Sequence, residues 1–506
     1  MEDLIVGIDA GTTAVKAVAF SLDGEIRHAA HRQVPVQYGR SGEAEQDMAA
    51  IWEAVADSLV EVTGALDDQQ VVAVGVTGQG DGAWLLNKDR EPLRPAALWL
   101  DGRAGDRIDQ WNADGRGDQV LKTTGTVVFP GLAPVLLEEF EQAQPGFLES
   151  IGTIFYCKDW VRYQLTGELA TDYTEASRNF LNLDTATYDT DFAKRLGLGA
   201  VVDALPPILT ADAVGGQVSA EAAERTGLPA GIPVAVGMID VAITGPGLGA
   251  TEDGDSWLIL GTTGFIGTLR AGVSDRRSQA SMVLATGRGQ QVLEFLAPMT
   301  GTPNLDWIRQ TLAFQDWAEA ESAARTVEPG SAGVIYLPYA SPGGERAPFQ
   351  DSSASASWLG MSISTTPAEI LRSVYEGVSF SLVECIEALD LQGELVVSGG
   401  GFRSDLVCEI LADTTGRRVV RQAAPEAGAR GAATLAMVAG GQAADLKEAA
   451  AAMVTSTSTF EPNTNHHAIY RKALAVYMSA RDALRPAWPA MRELRAQSTN
   501  DDHEEK

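Results

Sequence analysis

The chain has 506 residues, 45% hydrophobic and 21% charged, an ordinary globular profile that excludes wholesale disorder and is long enough for two hydrophobic cores. A formal net charge of −30 argues against a nucleic-acid backbone or an anionic membrane surface as partner, so an anionic nucleotide would need locally placed donors and a metal. Cys157, Cys385 and Cys408 have neither zinc-site nor disulfide-framework spacing, Met1-Glu2-Asp3 is acidic where a signal peptide is basic, and no apolar run is long enough to span a membrane; a cytoplasmic protein is expected.

From the N-terminus, β-rich runs at Leu4–Ile8 and Val15–Phe20 flank Gly11-Thr12-Thr13, which predicts a β-hairpin. Asp9 ends the first run. Its carboxylate can hold Mg2+ through water while the turn's N–H groups and threonine hydroxyls donate to phosphate, or it can cap its own turn. Lys16 either reaches a phosphate or snorkels from its strand. A third strand at 26–36, a helix from Met48 to Leu66 with Ile51, Trp52, Val55, Leu59 and Val62 on one face, and a buried strand at Val71–Val76 give the order β-β-β-α-β.

The segment Thr77-Gly78-Gln79-Gly80-Asp81-Gly82 places one amide and one carboxylate among glycines, which suits hydrogen bonds to a polyhydroxylated ligand or a plain surface turn. In Leu98-Trp99-Leu100-Asp101-Gly102-Arg103, Trp99 adds an apolar face, and Asp101 and Arg103 either meet a substrate or pair with each other. Strand-like Val234–Ile239 ends at Asp240, at the carboxyl end of a strand, where α/β folds place ligands. Phosphoryl transfer needs a carboxylate to orient the attacking hydroxyl and take its proton; an N-cap for the next segment is the alternative role for Asp240.

A Gly-rich stretch from Gly245 to Gly249 marks the expected domain boundary. Its letters match a dinucleotide fingerprint, but Pro246 occupies the turn and no β-α-β unit with a later ribose-binding acid is evident; no Walker A pattern occurs either. The second half then repeats the scheme. Runs at Trp257–Leu260 and Phe265–Leu269 flank Gly261-Thr262-Thr263, followed by a helix from Pro367 to Leu389 and a strand at Glu394–Val397. The turn Ser398-Gly399-Gly400-Gly401-Phe402 leads to a helix starting near Ser404, leaving room for a flat base or ribose at Gly400 and Gly401. The repeat predicts two related α/β domains closing over a cleft, 1–245 and 246–490, with a polar tail at 491–506 and a triphosphate gripped between the hairpins.

Together these segments resemble the FGGY carbohydrate kinases of the actin, hexokinase and Hsp70 ATPase superfamily, whose domains are ribonuclease H-like. The resemblance spans nearly the whole chain: Gly7 to Thr13, Gly78 to Gly82, Trp99 to Arg103, Tyr156-Cys157-Lys158-Asp159-Trp160, Thr171-Asp172, Gly237 to Asp240, Gly261 to Gly264 and Leu337-Pro338-Tyr339. Gly343-Gly344-Glu345-Arg346-Ala347-Pro348 is similar to a family Gly-Glu-Arg-x-Pro segment, Gly360 to Gly377 to the C-terminal signature, and Ser398 to Phe402 to the adenosine turn. The resemblance implies an N-terminal substrate domain and a C-terminal nucleotide domain, with ATP and Mg2+ as cofactors. It implies Asp240 as catalytic base, Asp9 and Asp240 on the metal side, Gly11, Thr12, Thr13, Lys16, Gly261, Thr262 and Thr263 at the phosphates, and Gly400 and Gly401 at the adenosine.

The substrate contacts are expected at Gln79, Gly80, Asp81, Trp99, Arg103 and Asp240. Xylulokinases carry Met-His, and glycerol kinases Arg-Glu, where Gly80-Asp81 stand, so neither substrate carries over directly. Gly80 leaves space and Asp81 can accept two hydroxyl donors, which suits a polyol or ketose without a charged head. This loop with Leu98 to Arg103 resembles erythritol kinases and L-xylulose kinases. The expected activity is ATP-dependent phosphorylation of a terminal hydroxyl of a tetritol, pentitol or pentulose. Xylulokinase or glycerol kinase activity, a chaperone-like or filament-forming ATPase of the same superfamily, and a catalytically silent sugar-binding regulator stand as alternatives. No nucleic-acid or membrane partner is expected, and a homodimer is left open.

Overall fold

The computed structural model describes residues 2–274, 278, 280–422, 425–454 and 456–495. Residues 496–506 of the expected polar tail lie outside them, while residues 488–495 are helical with Trp488 buried.

The first hairpin forms as its pattern requires. Strand Glu2–Ala10 pairs antiparallel with Ala14–Ser21, which pairs with Ile26–Gln33. Asp47 then caps the helix Met48–Gly64 through the Ala49 N–H, and Ile51, Val55, Leu59 and Val62 are buried on one face. Strand Gln69–Gly78 returns parallel to the first strand, and Pro233–Ala235 lies parallel beyond it. The second half follows the same order. Ser256–Leu260 and Gly264–Arg270 form the hairpin, Val292–Leu296 extends it, and Leu395–Ser398 and Val419–Gln422 add parallel strands after the helix Pro367–Ala388. Each half thus carries a seven-stranded mixed sheet, and the fold is the two-domain α/β architecture expected from the repeat.

Two departures position the site. The expected single strand at 234–239 is broken, because Gly237 takes φ +83 where a Cβ would lie 1.9 Å from the Val76 carbonyl oxygen. The chain re-enters the sheet as Met238–Ile239, paired with Thr77–Gly78, and delivers Asp240 to the start of a helix. That helix, Asp240–Gly247, is the second departure: it runs through the Gly/Pro-rich stretch and contains the expected boundary between residues 245 and 246.

Its stability comes from tertiary packing. It crosses the helix Ala427–Ala439, and both lie between the sheets in a shared core. Ile5, Val18 and Phe20 of the first sheet, Ile243 and Leu435 of the helices, and Trp257 and Leu293 of the second sheet meet there. The crossings are backbone to backbone. A Cβ at Gly7 would fall 1.9 Å from the Ala429 carbonyl oxygen, one at Gly75 1.8 Å from that of Ala432, and one at Gly431 2.0 Å from that of Ile243. No described helix is long and apolar enough to cross a membrane.

Gly431→Ala separates the crossing from helix propensity. Propensity alone would stabilise the helix Ala427–Ala439 by about 1 kcal/mol, whereas overpacking against Ile243 costs about 1–3 kcal/mol. Urea denaturation should show net destabilisation; a more stable variant would contradict the packing account.

Candidate active site

Asp9 and Asp240 come from the ends of two strands of the first half that flank the strand Gln69–Gly78 on either side. Asp9 stands opposite Lys16 on one side and Thr77 on the other. Its carboxylate also faces the start of the second-half helix Ala427–Ala439, where a Cβ on Gly428 would lie 2.4 Å from Oδ2. Lys16 reaches across to the same helix end and pairs with Glu426 at 2.7 Å. Asp240 is the first residue of its helix, and its carboxylate accepts from the Val241 N–H at 2.7 Å, with the Gly80 backbone N–H turned toward it as a weaker influence.

Both carboxylates are partly buried, and burial is the largest cause of their raised pKa values. Asp9 is pushed up to about 6, with Lys16 pulling it down and Glu426 adding to the rise. Asp240 is pushed up to about 7 by burial and then by the Asp9 charge, while Asp81 adds a smaller push and the two N–H donors oppose it.

The Asp240 position is held from behind. The Ile239 N–H donates to Thr174 Oγ1 at 3.1 Å, and Thr77 Oγ1 donates to the Met238 carbonyl at 2.8 Å. Thr174 in turn donates to Asp172, which pairs with buried Lys158 at 3.0 Å, and Lys158 also pairs with Asp159 at 2.6 Å. The segments at 156–160 and 171–172 therefore act on the site through this buried chain.

The loop around Gln79–Asp81 is equally fixed. The Gln79 amide donates to Gln46 Oε1 at 2.7 Å, and the Gln46 amide donates to the Thr12 carbonyl at 2.8 Å. Trp99, 40% exposed, donates from Nε1 to Thr12 Oγ1 at 3.0 Å. Asp81 has φ +59, and its two oxygens take Nε and a terminal nitrogen of Arg178 at 2.6 and 3.1 Å. Arg178 is itself buried and donates to Thr126 Oγ1 at 2.9 Å. The space expected beside Gly80 is filled, since a Cβ there would meet Ile239 Cδ1 at 1.9 Å. Arg103 pairs with buried Asp101 at 2.7 Å and with Glu45 at 2.5 Å, so the ion pair within the loop is present.

In the second half, Thr262 and Thr263 are exposed at the hairpin tip, and the Gly261 N–H bonds to the Thr263 carbonyl at 3.0 Å. Gly400 and Gly401 line a cavity of about 700 Å³ with Tyr375, Trp317 and Glu321. Gly400 and Arg403 also line an adjoining cavity of about 670 Å³ that contains Asp9, Lys16, Glu426 and Gly428. The glycine turn and the Asp9 carboxylate thus belong to one continuous cleft.

Comparison with known proteins identifies the family. Residues 4–247 match the N-terminal domain, and residues 257–440 the C-terminal domain, of the FGGY family of carbohydrate kinases. The chain belongs to that family. It is 33% identical over 96% of its length to an erythritol kinase from Brucella abortus, covering 97% of that protein. It is 28% identical over 93% of its length to an L-xylulose/3-keto-L-gulonate kinase from Escherichia coli, covering 95% of it. The crystal structure of a ligand-bound xylulose kinase from Lactobacillus acidophilus superposes with a TM-score of 0.90, at 26% identity, covering 97% of this chain and 100% of that one. The enzyme is a carbohydrate kinase, a phosphotransferase acting on a small sugar or polyol.

Gln46, Arg178 and Glu426 were not legible as site residues. Their partners lie 33, 97 and 410 positions away in the chain, and no local motif marks them.

The raised carboxyl pKa values set a stability prediction. The folded kinase binds more protons than the unfolded chain between pH about 4 and 7, so this contribution is fully present below the unfolded Asp value of 3.8 and is lost as pH rises through about 7. Asp240→Asn should therefore stabilise the protein at pH 8 by on the order of 1 kcal/mol, discounted for partial exposure, and by nothing at pH 4. Chemical denaturation at the two pH values checks this; equal effects would contradict it.

Proposed function

We propose that the kinase transfers the γ-phosphoryl group of MgATP to a terminal hydroxyl of a tetritol, pentitol or pentulose, with Asp240 as general base. The observation that carries this reading is the Asp240 carboxylate, set at a strand end beside the Gly80 backbone of the polar loop and pushed up to about 7 by burial and the Asp9 charge. A base is most effective when its pKa lies near the working pH. Asp240 orients the hydroxyl and takes its proton as the oxygen attacks phosphorus.

Asp9 and Asp240 fit a hard divalent cation, because two carboxylates pushed upward by burial and by neighbouring carboxylates, Glu426 beside Asp9 and Asp9 beside Asp240, gain from added positive charge. No cluster of three or more His, Cys, Asp or Glu side chains capable of holding a metal occurs among the described residues. When bound, Mg2+ neutralises charge on the phosphoryl oxygens. Gly11, Thr12 and Thr13 on one side and Gly261, Thr262 and Thr263 on the other supply N–H and hydroxyl donors, with Lys16 beside them. The cavity at Gly400 and Gly401 takes the adenosine.

The substrate class follows from charge matching at the loop. Arg178 is neutralised by Asp81, and Arg103 by Asp101 and Glu45. These pairs leave hydrogen-bonding groups without a net positive head, which favours a neutral polyol or ketose over a sugar acid. Ile239 packed against Gly80 favours a short carbon chain. The erythritol kinase relative points the same way and makes a tetritol the leading candidate.

Asp240→Asn should lower turnover by about 10³-fold, within the range general-base removal gives. ATP affinity, measured by calorimetry, should change less than about threefold. Retained turnover would exclude Asp240 as the base.

A further inference from the structure

The segment Gly343 to Pro348 touches none of the groups assigned above, yet it holds one of the two phosphate turns. Glu345 is 1% exposed and gathers four donors. Its Oε1 accepts from the N–H groups of Met299 at 2.5 Å, Arg346 at 2.8 Å and Ala347 at 3.4 Å, and its Oε2 from the Thr300 hydroxyl at 2.9 Å. Two of these donors belong to the segment 298–302, which wraps the second hairpin tip. The Pro298 carbonyl accepts from the Gly264 N–H at 3.0 Å, and the Thr302 N–H donates to the Gly261 carbonyl at 2.8 Å. Between them Gly301 presses directly on the turn, since a Cβ there would lie 2.2 Å from the Thr262 oxygen and 2.7 Å from that of Gly261. Both ends of the Gly261–Gly264 tip are therefore fastened to a segment whose middle is fastened to one buried carboxylate.

We propose that Glu345 is a positioning residue for phosphate binding, which fixes the Gly261-Thr262-Thr263 turn through Met299 and Thr300 so that its donors are aimed before nucleotide arrives. The proposal rests on the kinase reading and deepens it. Preorganised donors are worth more than mobile ones because no ordering cost falls due when the charge arrives. The two turns are then braced by different means: Thr12 by the side chains of Gln46 and Trp99, and Thr262 by a backbone segment tied to Glu345. Glu345 holds Met299 and Thr300, beside the phosphate turn, and only Thr302 at the end of that segment lines the adenosine cavity, so its loss falls mainly on the phosphates.

The test compares ATP with adenosine binding to wild type and Glu345→Gln by calorimetry. Glutamine keeps the volume but turns an NH2 toward donors, so ATP affinity should fall about tenfold, with adenosine affinity within about twofold. In steady state, the KM for ATP should rise and kcat fall, with the KM for the acceptor unchanged. Equal losses for ATP and adenosine, or no loss for either, would overturn the proposal. If Glu345→Gln does not fold, Thr300→Val, which removes one leg of the brace, decides by the same comparison, with an expected ATP-only loss of about threefold. Wild-type protein that binds ATP no better than adenosine would instead defeat the phosphate-turn reading itself, a result separate from any behaviour of the variant.

Discussion

The structure depends on one constraint, the backbone-to-backbone packing of the helix Ala427–Ala439 between the two sheets. Contacts of 1.8 to 2.0 Å to any added Cβ at Gly7, Gly75 and Gly431 leave no room for side chains in the crossing. The helix from the second half therefore sits against the first strand of the first half. That placement brings Gly428 beside Asp9 and Glu426 beside Lys16, so the cleft between the halves is assembled by the same contact that joins their cores. The two threonine turns each sit at the tip of the leading hairpin of its sheet.

The electrostatics of the cleft follow from its composition. In a chain of net charge −30, Asp9, Asp240, Asp81 and Glu426 gather near the opening, and the cations among them are already matched. Carboxylates held this close raise one another's pKa values and are suited to a divalent cation arriving with an anionic nucleotide. The same repulsion, with burial, lifts Asp240 toward neutrality, where a carboxylate is a useful base. A site poised in this way costs stability at the pH at which it works, a common relation between activity and stability.

Much of this was legible in the sequence because it is local. The hairpins about Gly11 and Gly261, the amphipathic helix beginning at Met48, and Asp9 and Asp240 at strand ends are all written in short-range patterns. The helix Asp240–Gly247 was not, because its glycines and proline oppose helix formation and tertiary packing, chiefly against the crossing helix, stabilises it. The strand before it could not be read as broken without knowing that Gly237 must pass the Val76 carbonyl. Space at Gly80 was a fair local inference, but Ile239 fills it from 159 positions later. Partners joined only by folding, such as Arg178 with Asp81 and Lys16 with Glu426, carry no local signal.

The central claim is that this cleft phosphorylates a small neutral polyhydroxylated acceptor. It is tested most directly by ADP release from MgATP across erythritol, threitol, pentitols, D- and L-pentuloses, glycerol and sugar acids. The account predicts strong stimulation by a tetritol, pentitol or pentulose and none by the sugar acids. A flat panel with slow basal hydrolysis, or a preference for a sugar acid, would contradict it.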